Sequence, residues 1–291
     1  MNLSPLPARA PLGIFDSGIG GLSVLRHIAA QLPNESLCYF ADSGFAPYGD
    51  KPEQEIMQRA LYAAETLLTH GVKAIVVACN TATAAAIALL RSQYPDLIIV
   101  GVEPGLKPAV SLTKTGCVAV FATSSTLASA KYQLLCDQIQ QTTKVTLINQ
   151  ACPGLVDQIE RGELGTSATI RLLKTYLQPV LASSADILVL GCTHYPFVEH
   201  SLRRIALSER KATLHIIDTG SAIARQLKRL LSERGLLNPD TPESVPHARL
   251  ECVTTGEPAK LEFALSQLLK LDPEQYAIQE LGCNLPLSSL K

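Results

Sequence analysis

Two short runs constrain this chain more than any other feature. ILVLGCTHYP, residues 187–196, begins as an apolar strand, breaks at Gly191, and then presents Cys192, Thr193 and His194 in succession. AIVVACNTAT, residues 74–83, repeats the design and ends in Cys79, Asn80 and Thr81. An apolar run closed by a small residue reads as a buried parallel strand at its C-terminal end. That end is where open α/β sheets bind ligands. The two thiols stand 113 positions apart (192 minus 79), which points to a duplicated unit with one thiol per copy.

The rest of the chain fits a duplication. Apolar strands are predicted at 12–15, 36–41, 73–79 and 97–102, with helical spacing between them. The pattern restarts at 116–122 and continues at 144–149, 186–192, 213–217 and 249–254. Phe15 over Phe121 gives an offset of 106, close to the offset between the cysteines. Strands alternating with helices predict an α/β protein with parallel sheets. The expected architecture is two pseudo-symmetric parallel-sheet domains with the active site between them. The second unit, 104–217, is inserted into the first, which comprises 1–103 and 218–291. Residues 236–247 hold three prolines and read as a loop. Residues 278–291 lack periodicity and read as a surface tail.

Composition narrows the function. The 291 residues are 47% apolar, enough for a sizeable core. Net charge is −1, and no basic stripe carries interleaved aromatics, so nucleic acid is not an expected partner. No apolar run approaches the roughly 20 residues of a membrane helix, so no membrane is expected. Residues 1–11 show no apolar leader, so a cytoplasmic location is expected. The eight cysteines show no CxxC spacing and read as thiols rather than a disulfide framework.

A thiol at the start of a helix lies beside unpaired backbone N–H groups, which favour thiolate. Cys79 and Cys192 both fit that description. Three roles compete. A lone nucleophile would use Cys192 with His194 as base, leaving Cys79 unexplained. A metal site lacks its ligand spacing. A paired acid–base would use both thiols on opposite sides of one ligand, the layout that inversion at carbon requires. DSGIGG, residues 16–21, is a Gly-rich strand-to-helix turn, weak as a phosphate signature because neither GxGxxG nor a P-loop is complete. Asp16 at the strand end tilts this turn toward a site. Residues 41–51 form a polar loop that contains Tyr48. Cys152, before Pro153, reads as structural.

DSGIGGLSVL, ADSGFAPYG, VVACNTAT, GVEPGLKPA and LVLGCTHYP, in that order and at these separations, resemble glutamate racemase. The resemblance covers about residues 12–219. It implies a cofactor-independent enzyme, without pyridoxal phosphate or metal, that interconverts L- and D-glutamate and supplies D-glutamate for peptidoglycan. Cys79 and Cys192 would be the proton-transfer residues, the first acting on D-glutamate and the second on L-glutamate. Asp16 and His194 would tune them. Ser17, Asn80, Thr81 and Thr193, with the backbone at Tyr48 and Gly49, would hold the substrate. Glu160 lies where the family often carries an assisting carboxylate, although Asp157 stands where proline is expected. Proteobacterial members respond to a muropeptide-precursor activator, and the residues before Leu12 are compatible with their N-terminal extension. Aspartate racemase is the nearest alternative. An inert-thiol binding protein and a thiol hydrolase using Cys192 and His194 are further rivals. Oligomeric state is not legible.

Overall fold

The computed structural model describes residues 7–209, 214–239 and 250–281. The elements in chain order are β1 (Leu12–Asp16), α1 (Leu22–Gln31), β2 (Leu37–Ala41), α2 (Glu53–Thr69), β3 (Ala74–Val77), α3 (Asn80–Gln93), β4 (Ile98–Gly101) and α4 (Leu106–Leu112). There follow β5 (Cys117–Ala122), α5 (Ser124–Ala128), α6 (Ala130–Thr142), β6 (Thr146–Ala151), α7 (Leu155–Glu160), α8 (Ser167–Ala182), β7 (Ile187–Leu190) and α9 (Glu199–Ser208). The chain continues with β8 (His215–Ile217), α10 (Gly220–Glu233), β9 (Leu250–Thr254), α11 (Pro258–Leu268) and β10 (Tyr276–Glu280).

The strands form two fully parallel sheets, ordered β10-β9-β2-β1-β3-β4 and β6-β5-β7-β8. The stretch β2-β1-β3-β4 repeats as β6-β5-β7-β8, so β3 and β7 hold equivalent places. The thiols at 79 and 192 therefore leave their sheets at equivalent points, each two residues past the strand. The strands are apolar on both faces because helices cover both faces, as parallel sheets require. One apolar cluster is continuous across the two units. It runs from Ile14 and Tyr39 through Ile28 on α1 to Leu188, Leu202 and Leu227.

One expectation needs correction. Residues 278–280 are not part of a tail. With Tyr276 and Ala277 they form β10, an edge strand paired in register with β9 from Tyr276↔Leu250 to Glu280↔Thr254. The segment YAIQE is too short and too mixed for a clear period, and its strand character comes from the ladder that β9 offers. The remainder of the expected tail, from 282, and positions 240–247 of the expected loop lie outside the described residues. The polar loop at 41–51 has a structure of its own. It is built from two short 3₁₀ turns, Ser43–Phe45 and Tyr48–Asp50, and Tyr48 is buried.

Candidate active site

A cavity between the two sheets, at the C-terminal ends of β1, β3, β5 and β7, gathers most of the predicted residues. Ser17, Tyr48, Gly49, Cys79, Asn80, Thr81, Cys192, Thr193 and His194 all line it. Its free space is about 40 Å³, room for only a few waters. Asp16 does not line it. The carboxylate is fully buried behind the wall, where it accepts from Gly18 N–H (3.1 Å) and from Thr193 Oγ1 (3.1 Å).

The two thiols sit in different settings despite their equivalent places. Cys79 caps α3, accepting from Ala82 N–H at 3.4 Å, and its Sγ lies 3.5 Å from Ser17 Oγ. The expected lowering by the helix start is nevertheless overruled. Burial pushes Cys79 up to about 12, Asp16 adds to the rise, and the bonds from Ser17 and Ala82 only partly offset it. Cys192 does not open a helix. The next turn, Tyr195–Val198, is a 3₁₀ turn that starts three residues later. Its partner is instead His194, with Sγ to Nδ1 at 3.7 Å. The far nitrogen, His194 Nε2, lies 2.6 Å from Glu160 Oε1. Burial works against the imidazolium, but Cys192 and Glu160 outweigh it and hold His194 well above its usual range. One thiol thus has a Cys–His–Glu relay, and the other has a hydroxyl and a backbone amide.

The Gly-rich turn 16–21 serves contact rather than phosphate. A Cβ at Gly20 would meet His194 and would stand 2.6 Å from Thr193 Oγ1. A Cβ at Gly18 would collide with Glu160, whose carboxylate also accepts from Ile19 N–H at 2.9 Å. Bare backbone is what lets the second unit's residues press against the first unit's turn. Ser23 Oγ on α1 adds a bond to Thr193 O at 2.7 Å.

Several residues of the site escaped the sequence. Asp42 and Arg59 form a buried pair, with Arg59 Nε donating to Asp42 Oδ2 at 2.8 Å. The guanidinium is stacked 3.7 Å from the Phe45 ring centroid and 4.7 Å from that of Tyr62. Tyr48 donates to the same Asp42 oxygen at 2.5 Å, and Thr255 donates to Oδ1 at 2.8 Å. This cluster fixes the wall formed by Tyr48 and Gly49, because a buried carboxylate must keep all its partners. Thr123 and Ser124 line the cavity from the second unit, and Thr123 Oγ1 is 3.1 Å from Thr81 Oγ1. A signal existed for Thr123, since the offset of 106 sets it over Ser17. Cys152 also lines the cavity, where burial keeps its thiol well above the usual range. Asn80 Nδ2 is buried with no acceptor among the described residues. No arginine or lysine lines the cavity.

The chain is similar to known proteins in sequence and in fold. A curated glutamate racemase of Methylococcus capsulatus is 54% identical over 228 residues, covering 78% of this chain and 81% of that protein. The solved structure of a glutamate racemase isoform from Bacillus anthracis aligns with a TM-score of 0.81 at 28% identity, covering 95% of this chain and 98% of that one. The Escherichia coli glutamate racemase, solved with L-glutamate and the activator UDP-MurNAc-ala, aligns with a TM-score of 0.78 at 29% identity, covering 94% and 99%. Residues 13–227 match the profile of the Asp/Glu/Hydantoin racemase family, and the chain belongs to that family.

Proposed function

We propose that the chain interconverts L- and D-glutamate by two-base proton transfer between Cys192 and Cys79. The observation that carries this reading is one cavity lined by both strand-end thiols, only one of which has an imidazole. Cys192 passes its proton to His194, and Glu160 stabilises the imidazolium. The Cys192 thiolate takes the α-proton of L-glutamate, and the Cys79 thiol donates its proton to the opposite face, ending as thiolate. The reverse direction needs Cys79 as thiolate, which burial opposes. The substrate ammonium brings a compensating positive charge beside it.

Neutral donors suit the two carboxylates. Ser17, Asn80, Thr81 and Thr193, with Thr123 as an addition, can bond them without a fixed cation, and Asn80 Nδ2 is a buried donor in want of an acceptor. Glutamate is preferred over aspartate because the relatives that are about half identical are glutamate racemases. We assign the product to peptidoglycan synthesis in the cytoplasm. No helix among the described residues is long and apolar enough to cross a membrane. Activation by a muropeptide precursor is carried over on the Escherichia coli complex. Sheet membership supports the domain division at 1–103 with 218–291, and 104–217.

Single-thiol variants test the mechanism. Cys79→Ser and Cys192→Ser should each lose racemisation in both directions, because an alcohol is far too weak an acid to replace a thiol. A glutamate analogue that eliminates a leaving group after deprotonation needs only one base. Cys79→Ser should process its L form and Cys192→Ser its D form. Both variants acting on the same enantiomer, or either racemising at the parent rate, would exclude the two-base assignment.

A further inference from the structure

Outside the cavity, one group of side chains has the makings of a site. Cys38 is the second residue of β2 and Glu251 the second of β9, and the parallel register sets them side by side. His70, the residue that ends α2, reaches the same place, with its Nδ1 3.6 Å from Glu251 Oε2. One sulfur, one imidazole nitrogen and one carboxylate oxygen all lie within 4.8 Å of one another. We propose that Cys38, His70 and Glu251 bind a zinc-class divalent cation at the base of the first sheet, with water as the fourth ligand.

The donor set matches a borderline metal, since zinc takes sulfur, imidazole and carboxylate together. Tetrahedral coordination brings such donors to about 3.3–3.6 Å from one another, given metal distances of about 2.0–2.3 Å. The His70–Glu251 pair, at 3.6 Å, already meets that spacing, and the remaining gap to Cys38 Sγ, at most 4.8 Å, is closed by the His70 ring and the Glu251 side chain, which is 58% exposed. Two of the ligands are already positioned. Cys38 is locked by the ladder on both sides, and His70 by its backbone bond to Leu67 O at 3.0 Å. An open groove along β9 and β10, lined by His70, Glu251 and Gln279 among others, gives access to those two ligands and room for water, while Cys38 does not line it and is fully buried. Binding would displace one proton from the Cys38 thiol as the sulfur–metal bond forms. The ion would tie β2, β9 and the end of α2 together. It would lie near the N-terminal strand ends, away from the C-terminal ends that line the catalytic cavity, and so would stabilise the fold without entering the reaction.

The full-length protein, stripped with a chelator and desalted, would be titrated with zinc alone by calorimetry and with cobalt(II) alone by absorption. The expected result is one tight ion per chain and a cobalt–thiolate charge-transfer band. Affinity should drop at least tenfold in His70→Gln and in Glu251→Gln, both accessible enough to leave the core intact. Cys38→Ser should abolish the band, and Cys192→Ser should leave it unchanged. Zinc should also raise the Tm of the parent and not of His70→Gln. Absence of binding, parent-level affinity in His70→Gln or in Glu251→Gln, or a band that vanishes only in Cys192→Ser would overturn the proposal.

Discussion

Single residues around this cavity carry charge at a cost, and Asp16, buried behind its wall, shows it most directly. Burial lifts its carboxyl from 3.8 to about 6, with His194 and the amides of Gly18 and Gly21 only partly opposing the lift. That lift is worth about 3 kcal/mol against the charged form. Between the two values the folded chain keeps a proton that the unfolded chain has released. Stability therefore falls as pH rises from about 3.8 to about 6, and the whole cost remains above 6. His194 acts in the same direction at higher pH. Its raised value adds stability below about 6.5 that is lost as pH climbs through the folded value. Asp16→Asn should accordingly be more stable than the parent at pH 7.5, by up to about 3 kcal/mol, while losing activity. The gap should close toward pH 4. Urea denaturation at the two pH values measures it, and a gap independent of pH would mean that the charge of Asp16 is not its source.

Elements decide which residues can approach one another. The turn between β1 and α1 is closely packed against His194, Thr193 and Glu160, and glycine is the only residue that leaves them room. Gly20→Ala should lower kcat/KM at least tenfold and cost about 1–3 kcal/mol, because His194 and Thr193 sit in a packed wall and cannot retreat. Gly165→Ala is the control, since an added Cβ there meets nothing within 4 Å. Steady-state kinetics and thermal unfolding of the pair separate the two cases. Equal behaviour would show that the turn tolerates a side chain and that its glycines serve no contact. The same scale explains the asymmetry of the thiols. β3 runs through Ala78 straight into α3, so Cys79 becomes a cap. After β7, Gly191 fits against Phe121 O, 2.9 Å from where its Cβ would be, and no α-helix starts at once. That delay leaves His194 free to turn back to Cys192.

For the whole molecule, access is the outstanding consequence. Both units line the cavity, so substrate is expected to enter as they part and to draw them together again around it. The continuous apolar cluster limits how far they part, because a wide opening would expose Leu188 and its neighbours to water. Amide hydrogen exchange should slow around Asp16, Tyr48 and Thr193 when glutamate is added. The base of the first sheet, around Glu251, should be unaffected. Protection confined to one unit, or none in these three segments, would contradict a shared and closing site.

Nine of the ten strands among the described residues, their order along the chain and the repeat were legible in the sequence, because buried parallel strands are written as local apolar runs. The strand-end positions of Cys79 and Cys192 were legible for the same reason. What depends on neighbours distant in the chain was not. β10 needs β9 to be recognised as a strand. The helix start next to Cys79 predicts a lowered thiol, yet desolvation by surrounding chain sets the opposite sign. Glu160 could be named only by resemblance, since its bond to His194 spans 34 positions. Nothing in the sequence joins Asp42 to Arg59, and only packing against Phe45, Tyr48 and Tyr62 makes them a buried pair. Cys38, His70 and Glu251 lie on three elements with no common motif, and register alone brings them together. Periodicity is a property of a segment and can be read from it. Solvation and electrostatic partnership are properties of the enclosed space, and the tertiary structure alone decides them.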